Sequence, residues 1–179
     1  AALAPVQSAA EKHLQKQLIA AHDEADLDRI DARIKELLAK APLDVDAATQ
    51  IALLNNRNLQ AALAELGIGQ AELVQASRLP NPGFTLARFK QGDEIERERS
   101  LHFNLARLLA LPWLRDLESS RFAQQQGAVA SQVLALAADT RRAWVQAVAA
   151  GESLRYMHQV HDAAEASAEL ARRMEAVGN

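Results

Sequence analysis

The fold is decided by residues 80–112, which read PNPGFTLARFKQGDEIERERSLHFNLARLLALP. This stretch interrupts a sequence that otherwise has a helical pattern. Its opening motif, Pro80-Asn81-Pro82, ends the preceding helix, because prolines placed so close together cannot continue one. Pro112 marks the exit, and a long helical pattern follows it. We predict one β-hairpin inserted between two helices.

Two segments of this stretch have strand character. Residues 100–106 alternate between apolar and polar side chains, a period that is typical of a β-strand. Residues 84–89 supply the partner strand, and we expect the charged residues 90–99 to form a solvated loop between the strands. The alternation predicts one face with Leu101, Phe103 and Leu105 and an opposite face with His102 and Asn104.

A two-stranded hairpin is marginally stable in water by itself. The predicted hairpin must therefore pack on the helices, pair with other strands or lie in lipid. Antiparallel sheets commonly have one wet face. The alternation therefore fits both an amphipathic hairpin on a soluble core and a hairpin in a membrane.

Composition narrows the class of protein. The 179 residues are 49% hydrophobic but only 4% aromatic, which favours closely packed helices over a core of bulky side chains. The net charge of -3, with both signs interspersed, gives no basic footprint for nucleic acid. The sequence has no cysteine, which excludes disulfides, thiolate metal sites and cysteine nucleophiles. No apolar run reaches the roughly 18 residues of a membrane-spanning helix.

The sequence carries no recognisable catalytic or cofactor motif. It has no Gly-x-Ser-x-Gly turn, and the glycines of residues 67–69 lie in a helical pattern without a preceding strand. His158 and His161 lie close to Asp162 and Glu165, but a metal site needs convergent ligands, usually from several elements. We therefore expect no enzyme activity, no cofactor and no metal site, and we expect His161 to be packed or hydrogen-bonded.

Several shorter helical segments precede the hairpin. Ser8 has the spacing of a capping residue, Asp44 begins a short helix, and Asn58 is placed to cap the next one. Apolar positions at helical spacing predict a helical segment over residues 8–39, which we expect to bend or break at His22-Asp23-Glu24, and further helices over residues 44–54 and 59–79.

The sequence from residue 113 to residue 177 contains no proline. It predicts one helix of roughly 100 Å, far longer than a helix of a compact domain. Two rows at heptad spacing are mainly small or apolar, which resembles coiled-coil packing. We name these rows the seam: Leu136, Ala143, Ala150, Met157, Ala164 and Ala171 in one row, and Val133, Thr140, Ala147, Leu154, His161 and Ala168 in the other.

A series of strings, taken in order, resembles the TolC-type outer membrane efflux proteins. The order and the spacing of these strings together are specific, and the resemblance covers residues 42–179. The strings are DVDAATQIALLNN at 44–56, NLQAA at 58–62, ELGI at 65–68, QASRLPNP at 75–82, RRAW at 141–144, AVAA at 147–150, ELARR at 169–173 and VGN at 177–179.

The resemblance implies a mainly α fold with long, antiparallel, coiled-coil-like helices and one inserted β-hairpin, which is half of a TolC-type protomer. Residues 1–41 lie outside the resemblance, and their own helical pattern predicts an N-terminal helical extension. Residues 42–79 would form two helices of the periplasmic α-barrel. Residues 80–112 would form a hairpin of the outer membrane barrel. Residues 113–179 would form a long periplasmic helix that ends at the tip turn.

The resemblance also implies function and partners. Such a protein is the outer membrane channel of a tripartite efflux system, a passive conduit for small molecules across the periplasm and the outer membrane. The implied partners are two further copies in a homotrimer, a periplasmic adaptor protein, an inner membrane pump and outer membrane lipid. Some members carry an N-terminal lipid anchor on a cysteine, and a start at Ala1 would suit a chain trimmed just past it.

We expect this chain to be the N-terminal half of such a protein, because two strands cannot close a barrel that needs at least about eight. A second Asn-Pro strand and a second long helix after residue 179 would distinguish it from the alternative. That alternative is a soluble α-helical scaffold or interaction module without transport activity, in which the hairpin packs on the helices.

Candidate site residues follow from the alternation and the resemblance together. Four groups are expected to meet different surroundings in the assembled protein. They are Leu101, Phe103 and Leu105 facing lipid, His102 and Asn104 facing the lumen, and Pro80, Asn81 and Pro82 leading into the first strand, with Gly178 and Asn179 at the periplasmic tip.

Overall fold

The structure, a computed structural model, describes residues 2–39, 42–79, 81–91 and 94–178. The described part is mainly helical with one antiparallel hairpin, so the coarse fold class predicted from the sequence is confirmed. In chain order its elements are α1 (Ala4–Leu14), α2 (Glu24–Leu38), α3 (Val45–Asn55), α4 (Arg57–Ala76), β1 (Gly83–Gln91), β2 (Glu94–His102) and α5 (Leu105–Ala176).

The N-terminal helix is shorter than predicted. α1 begins at Ala4 with a proline in its first turn, so Ser8 lies inside the helix and does not cap it. The helix ends because Gln15 adopts a left-handed conformation with φ 56°. The predicted helical pattern is therefore wrong for residues 15–21, whereas the break predicted at residues 22–24 is confirmed by the start of α2 at Glu24. We call residues 15–23, the irregular segment between α1 and α2, the connector.

The next three helices begin at side-chain caps. The Asp44 carboxylate accepts a hydrogen bond from the Ala47 N–H at 2.6 Å, which confirms the predicted start of α3. Asn56 caps α4 by accepting from the Leu59 N–H at 2.9 Å, so the prediction that Asn58 caps it is wrong. The side chain of Asp23 caps α2 in the same way.

The core lies where α1, α3 and α4 pack against one part of α5. Small side chains of α1 and leucines of the two middle helices surround a pair of valines on α5, and α2 packs on α3. These buried apolar residues are Ala2, Val6, Ala10, Leu53, Leu59, Leu63, Leu66, Val129 and Val133.

Two glutamines hold the connector by its main chain. Gln50 on α3 bonds both backbone groups of Gln17, accepting from its N–H at 3.3 Å and donating to its carbonyl at 2.8 Å. Gln60 on α4 accepts from the Ala21 N–H at 3.0 Å and donates to the Ile19 carbonyl at 2.8 Å. The extended backbone is therefore satisfied by side-chain amides, which takes the place of pairing with a strand.

The hairpin is longer towards its tip and shorter towards its base than predicted. Its register pairs Gly83 with His102 and continues to Gln91 opposite Glu94. The expected loop over residues 90–99 is therefore wrong for residues 90–91, which belong to β1, and for residues 94–99, which belong to β2. The hairpin occupies residues 83–102 of the predicted 80–112.

α5 begins directly after the hairpin. Asn104 caps the helix by accepting from the Arg107 N–H at 2.9 Å, and Leu105 is its first residue. Pro112 lies inside the helix, which corrects the prediction that it ends the hairpin segment. A proline cannot donate to the Leu108 carbonyl one turn earlier, but both residues are exposed, so water can bind that carbonyl.

Candidate functional site

The hairpin stands apart from the helices. Among the described residues, each strand contacts the other strand and neither contacts a helix. A hairpin without a third strand or a helix against it is marginally stable in water. Within the described ranges, no helix covers either face of the hairpin.

One face of the hairpin is apolar at the base and basic further along. Residues directly opposite each other in an antiparallel pair lie on the same face. The register thus groups Phe84 with Leu101, Leu86 with Arg99, and Arg88 with Arg97. We call these six residues the arginine face, and all six are exposed.

The opposite face is more polar but carries the exposed Phe89, which the register places opposite Glu96. His102 lies opposite Gly83 at its base, and Thr85 lies opposite Ser100. Further along, Ala87 lies opposite Glu98. The sequence prediction that Leu101 and His102 lie on different faces of the strand is confirmed. Whether these faces meet lipid and lumen stays a prediction.

The remaining candidates of the alternating segment lie outside the strand. Phe103 and Asn104 connect β2 to α5, and Leu105 belongs to the helix, so the prediction that the strand continues to residue 106 is wrong. The physical reason is the Asn104 cap, which starts a helix where the alternation of side chains still suggests a strand. Phe103 is nevertheless 69% exposed and Leu105 63% exposed, so both remain available to an apolar environment.

A belt of exposed large apolar side chains surrounds the junction of the hairpin with α4 and α5. Part of it lines a cleft of about 300 Å³ formed by Leu79, Pro82, Phe103, Asn104 and Leu108. Contiguous apolar surface of this kind marks a contact with a partner or a membrane more often than a surface left in water. We name the following residues the apolar belt: Leu79, Phe84, Leu86, Leu101, Phe103, Leu105, Leu108, Leu109 and Trp113.

The second half of α5 has no neighbour within the described chain. The Trp144 indole donates to the Leu43 carbonyl at 3.0 Å, and every residue from 145 to 178 except Glu169 is exposed. At 1.5 Å per residue, the helix continues for about 48 Å beyond this point. Val133, Leu136 and Thr140 are at least half-buried, so the seam starts in the core and then continues without a partner.

One histidine and two carboxylates lie together on the surface of the exposed second half of α5. Ligand atoms of His161, Asp162 and Glu165 all lie within 4.8 Å of one another, and the three residues are exposed. We expected His161 to be packed or hydrogen-bonded. Its side chain is exposed, and its Nδ1 forms a hydrogen bond with Asp162 Oδ1 at 3.4 Å, so the second alternative is the one found. All three come from one helix turn, whereas metal sites usually draw ligands from several elements.

One cleft has a mixed lining of charged, amide and apolar side chains, and its charges join neighbouring elements. It lies between the connector, α2 and α3 and measures about 660 Å³. Lys16 Nζ lies 3.1 Å from Asp46 Oδ1, and Arg141 of α5 approaches the same carboxylate oxygen at 3.9 Å. This carboxylate therefore ties the connector and α5 to α3.

The predicted strand-entry motif and the predicted periplasmic tip lie only partly within the described residues. Pro80 and Asn179 lie outside the described residues, while Asn81 and Pro82 form irregular backbone just before β1. Gly178 follows the end of α5 with φ 79°, and its N–H donates to the Glu175 carbonyl at 3.1 Å. Glycine suits this left-handed position at a helix end, so the predicted stop at Gly178 is confirmed.

Sequence reasoning missed the three arginines of the hairpin, because it placed Arg97 and Arg99 in a loop. A signal was present in the order of charges. Residues 96–99 read Glu-Arg-Glu-Arg, so the sign of the charge alternates with the period of a strand.

Comparison with known proteins returned no match: no family model, no curated protein and no solved structure is similar to this chain. Among the helices of the described ranges, none combines the length and the hydropathy that crossing a bilayer requires.

Proposed function

We propose that the chain is a component of a passive outer membrane efflux channel of the TolC type. Its hairpin contributes strands to a membrane barrel, and its long helix contributes a wall to a periplasmic tunnel. Small molecules would pass through the water-filled interior without chemical change, so the proposal needs no catalytic residue and no cofactor. A periplasmic adaptor and an inner membrane pump would supply docking and energy.

The observation that carries the proposal is the absence of any helix against the described strands of the hairpin. The competing reading, a soluble scaffold, requires the hairpin to pack on the helices of its own chain. A barrel supplies what is missing, because neighbouring strands satisfy both edges and lipid covers the apolar face. Since two strands do not close a barrel, the further strands must come from elsewhere in the assembly.

Strand length supports a membrane location. β1 and β2 each contain 9 residues. A strand tilted in a bilayer needs about 9–11 residues to cross it. The strands of ordinary soluble sheets are commonly about 5–6 residues long, so a paired hairpin of this length without a supporting core is better suited to a membrane.

The arginines limit how deep the hairpin can lie. An arginine on the lipid face costs roughly 2–4 kcal/mol at the bilayer midplane but only about 0–1 kcal/mol near the interface. Arg88, Arg97 and Arg99 together would cost roughly 6–12 kcal/mol at the midplane by the same scale, comparable to the whole stability of a domain. We therefore place the arginines at the headgroup level, with the apolar belt in the hydrocarbon layer.

This placement keeps Leu101, Phe103 and Leu105 as the proposed lipid-facing residues, now joined by Phe84 and Leu86. The first two turns of α5 continue the belt through Leu108 and Leu109, and Trp113 follows one turn later, where an indole suits the interface with water. The proposal thus places the inner boundary of the bilayer near Trp113.

The exposed second half of α5, beyond Trp144, supports the part of the proposal that concerns the periplasmic tunnel. Small side chains at heptad spacing let helix backbones approach closely, and the seam is exposed from Ala143 to Ala171. Antiparallel helices from the same or neighbouring protomers would cover it. A trimer is the arrangement that the resemblance implies, and it would surround the lumen with copies of this helix.

The test is the location and assembly of the intact protein, together with the strands that complete its barrel, in a bacterium that expresses it. We expect it in outer membrane fractions as a trimer, and we expect the purified trimer to conduct ions across planar bilayers. Recovery as a folded monomer from the aqueous extract, without affinity for membranes, would contradict the proposal. Deletion of residues 83–102 is a useful control, because it removes the strands while leaving the described helical core intact.

A further inference from the structure

We propose that the arginine face binds the phosphate-rich surface of an anionic lipid bilayer. The face changes from apolar to basic along the hairpin, from the pair of Phe84 and Leu101 to the pair of Arg88 and Arg97. These pairs are four residues apart, or about 13 Å along a strand. The apolar pair can therefore enter the acyl layer while the arginines reach the phosphates.

The three arginines of this face form no ion pair with the described side chains. Considering the side chains that the structure describes, no carboxylate lies within ion-pair distance of Arg88, Arg97 or Arg99. Arg88 also lies directly opposite Arg97, and like charges in this position destabilise a strand pair. A phosphate between two guanidinium groups removes this repulsion and accepts paired hydrogen bonds from each.

The apolar side chains on the same face favour lipid over a soluble phosphate or an acidic protein segment. A free phosphate would engage the guanidinium groups and leave Phe84, Leu86 and Leu101 exposed to water. A bilayer surface engages both kinds of side chain at once, in the order in which the face presents them. The exposed fractions are 65% for Phe84 and 67% for Leu86, so neither is occupied within the chain.

The attraction to an anionic bilayer would come from the placement of the arginines on one face of the hairpin and not from the net charge of the hairpin. Residues 83–102 contain as many acidic as basic residues, so the hairpin as a whole is neutral. Glu98 lies on the opposite face, opposite Ala87, and separates the two signs of charge across the thickness of the sheet. The inference deepens the proposed function, on which it rests, by naming the lipid chemistry that the hairpin recognises.

The experiment measures sedimentation of the 179-residue chain with vesicles. One set contains phosphatidylglycerol mixed with phosphatidylcholine, and the other contains phosphatidylcholine alone. The variant Arg88→Gln/Arg97→Gln/Arg99→Gln is compared with Arg142→Gln/Arg155→Gln/Arg172→Gln, which removes the same charge from exposed positions of α5. Helix content by circular dichroism shows that both variants fold.

We expect the hairpin variant to lose roughly 100-fold in partitioning to the anionic vesicles, since each arginine near such a surface contributes about fivefold. The α5 variant should lose less than about threefold, because its arginines are distant from the apolar anchor. Raising the salt concentration should weaken binding of the unmodified chain and leave the hairpin variant nearly unchanged.

Equal losses in the two variants would overturn the inference. Equal binding to both vesicle types would also overturn the inference. That result would remove the role of the arginines and would still agree with a membrane location. Displacement by inorganic phosphate, where sodium chloride of equal ionic strength has no effect, would assign the face to a soluble anion. Binding to polyglutamate but not to the anionic vesicles would assign it to an acidic protein. The proposed channel is judged separately by its trimer and its conductance.

Discussion

Two glycines of α4 provide a matched test of how this helix packs on α5. Gly67 is exposed, and a Cβ added there would meet nothing within 4 Å. Gly69 is buried, and a Cβ there would overlap the Gln125 amide oxygen and lie 3.3 Å from Phe122 Cδ2. The substitutions Gly67→Ala and Gly69→Ala therefore share their local chemistry and differ in their surroundings.

The magnitudes follow from two opposing contributions. Alanine stabilises the interior of a helix by about 0.8–1.0 kcal/mol relative to glycine. Gly67→Ala should gain this amount. Gly69→Ala gains the same helix propensity but must displace Gln125 and shift Phe122, and overpacking of this kind typically costs about 1–3 kcal/mol. Gln125 is exposed and can rotate away from the added methyl group. Phe122 packs against the core cluster, so the shift of its ring disturbs that packing.

The measurement is equilibrium unfolding in urea, followed by circular dichroism at helix wavelengths. We expect the free energy of unfolding of Gly67→Ala to exceed that of Gly69→Ala by about 1–3 kcal/mol. Gly127→Ala on α5 is a control, since its Cβ also meets open space and it should behave like Gly67→Ala. Equal stabilities of the two α4 variants would refute this account of how α4 packs on α5.

Three further predictions concern single side chains. Gln60→Ala should lower the free energy of unfolding by about 2–3 kcal/mol, since three hydrogen bonds of about 1 kcal/mol each are lost, and amide exchange at Ala21 should accelerate. Leu63→Ala, at a position 1% exposed, should cost about 2–5 kcal/mol by urea titration, while Leu154→Ala, at 61% exposed, should stay within about 0.5 kcal/mol. Asn104→Ala should lower the free energy of unfolding by about 1 kcal/mol and shorten α5 at its first turn, because the cap is lost. Amide exchange in the first turn of α5 should then be faster, and unchanged exchange would contradict the cap.

The positions of α3, the hairpin and the long helix could be read from the sequence because each has a local signal. Asp44 is a strong cap, the Asn81-Pro82 turn precludes a helix, and the absence of proline after residue 112 allows a long one. The extent of β2 could not be read from hydropathy. Its charged half alternates in the sign of charge rather than in polarity, so a search for apolar periodicity assigns it to a loop.

The irregular connector was missed for a different reason. Leu14, Leu18 and Ala21 have nearly helical spacing, so the pattern favours a helix through them. The contacts that stabilise the extended conformation come from Gln50 and Gln60, more than 30 residues away along the chain. No local pattern contains such information, and tertiary hydrogen bonds decided the outcome.

The candidate site was predictable in part. The separation of Leu101 from His102 onto two faces follows from strand periodicity, and the register agrees. The assignment of Asn104 to the strand failed because asparagine is both tolerated at a strand end and favoured as a helix cap. The arginine face required the cross-strand register, since Arg88 and Arg97 meet only when residue 83 is paired with residue 102.

The way the connector is held has a consequence for how its sequence can vary. In the connector, the hydrogen bonds of Gln50 and Gln60 go to main-chain groups of Gln17, Ile19 and Ala21. Nearly every amino acid provides these groups. Most replacements at these three sites should keep the attachment, and proline at residue 17 or 21 should break it by removing a donor. Natural variation would then fall on the held residues, while the two amides that hold them would tolerate little change.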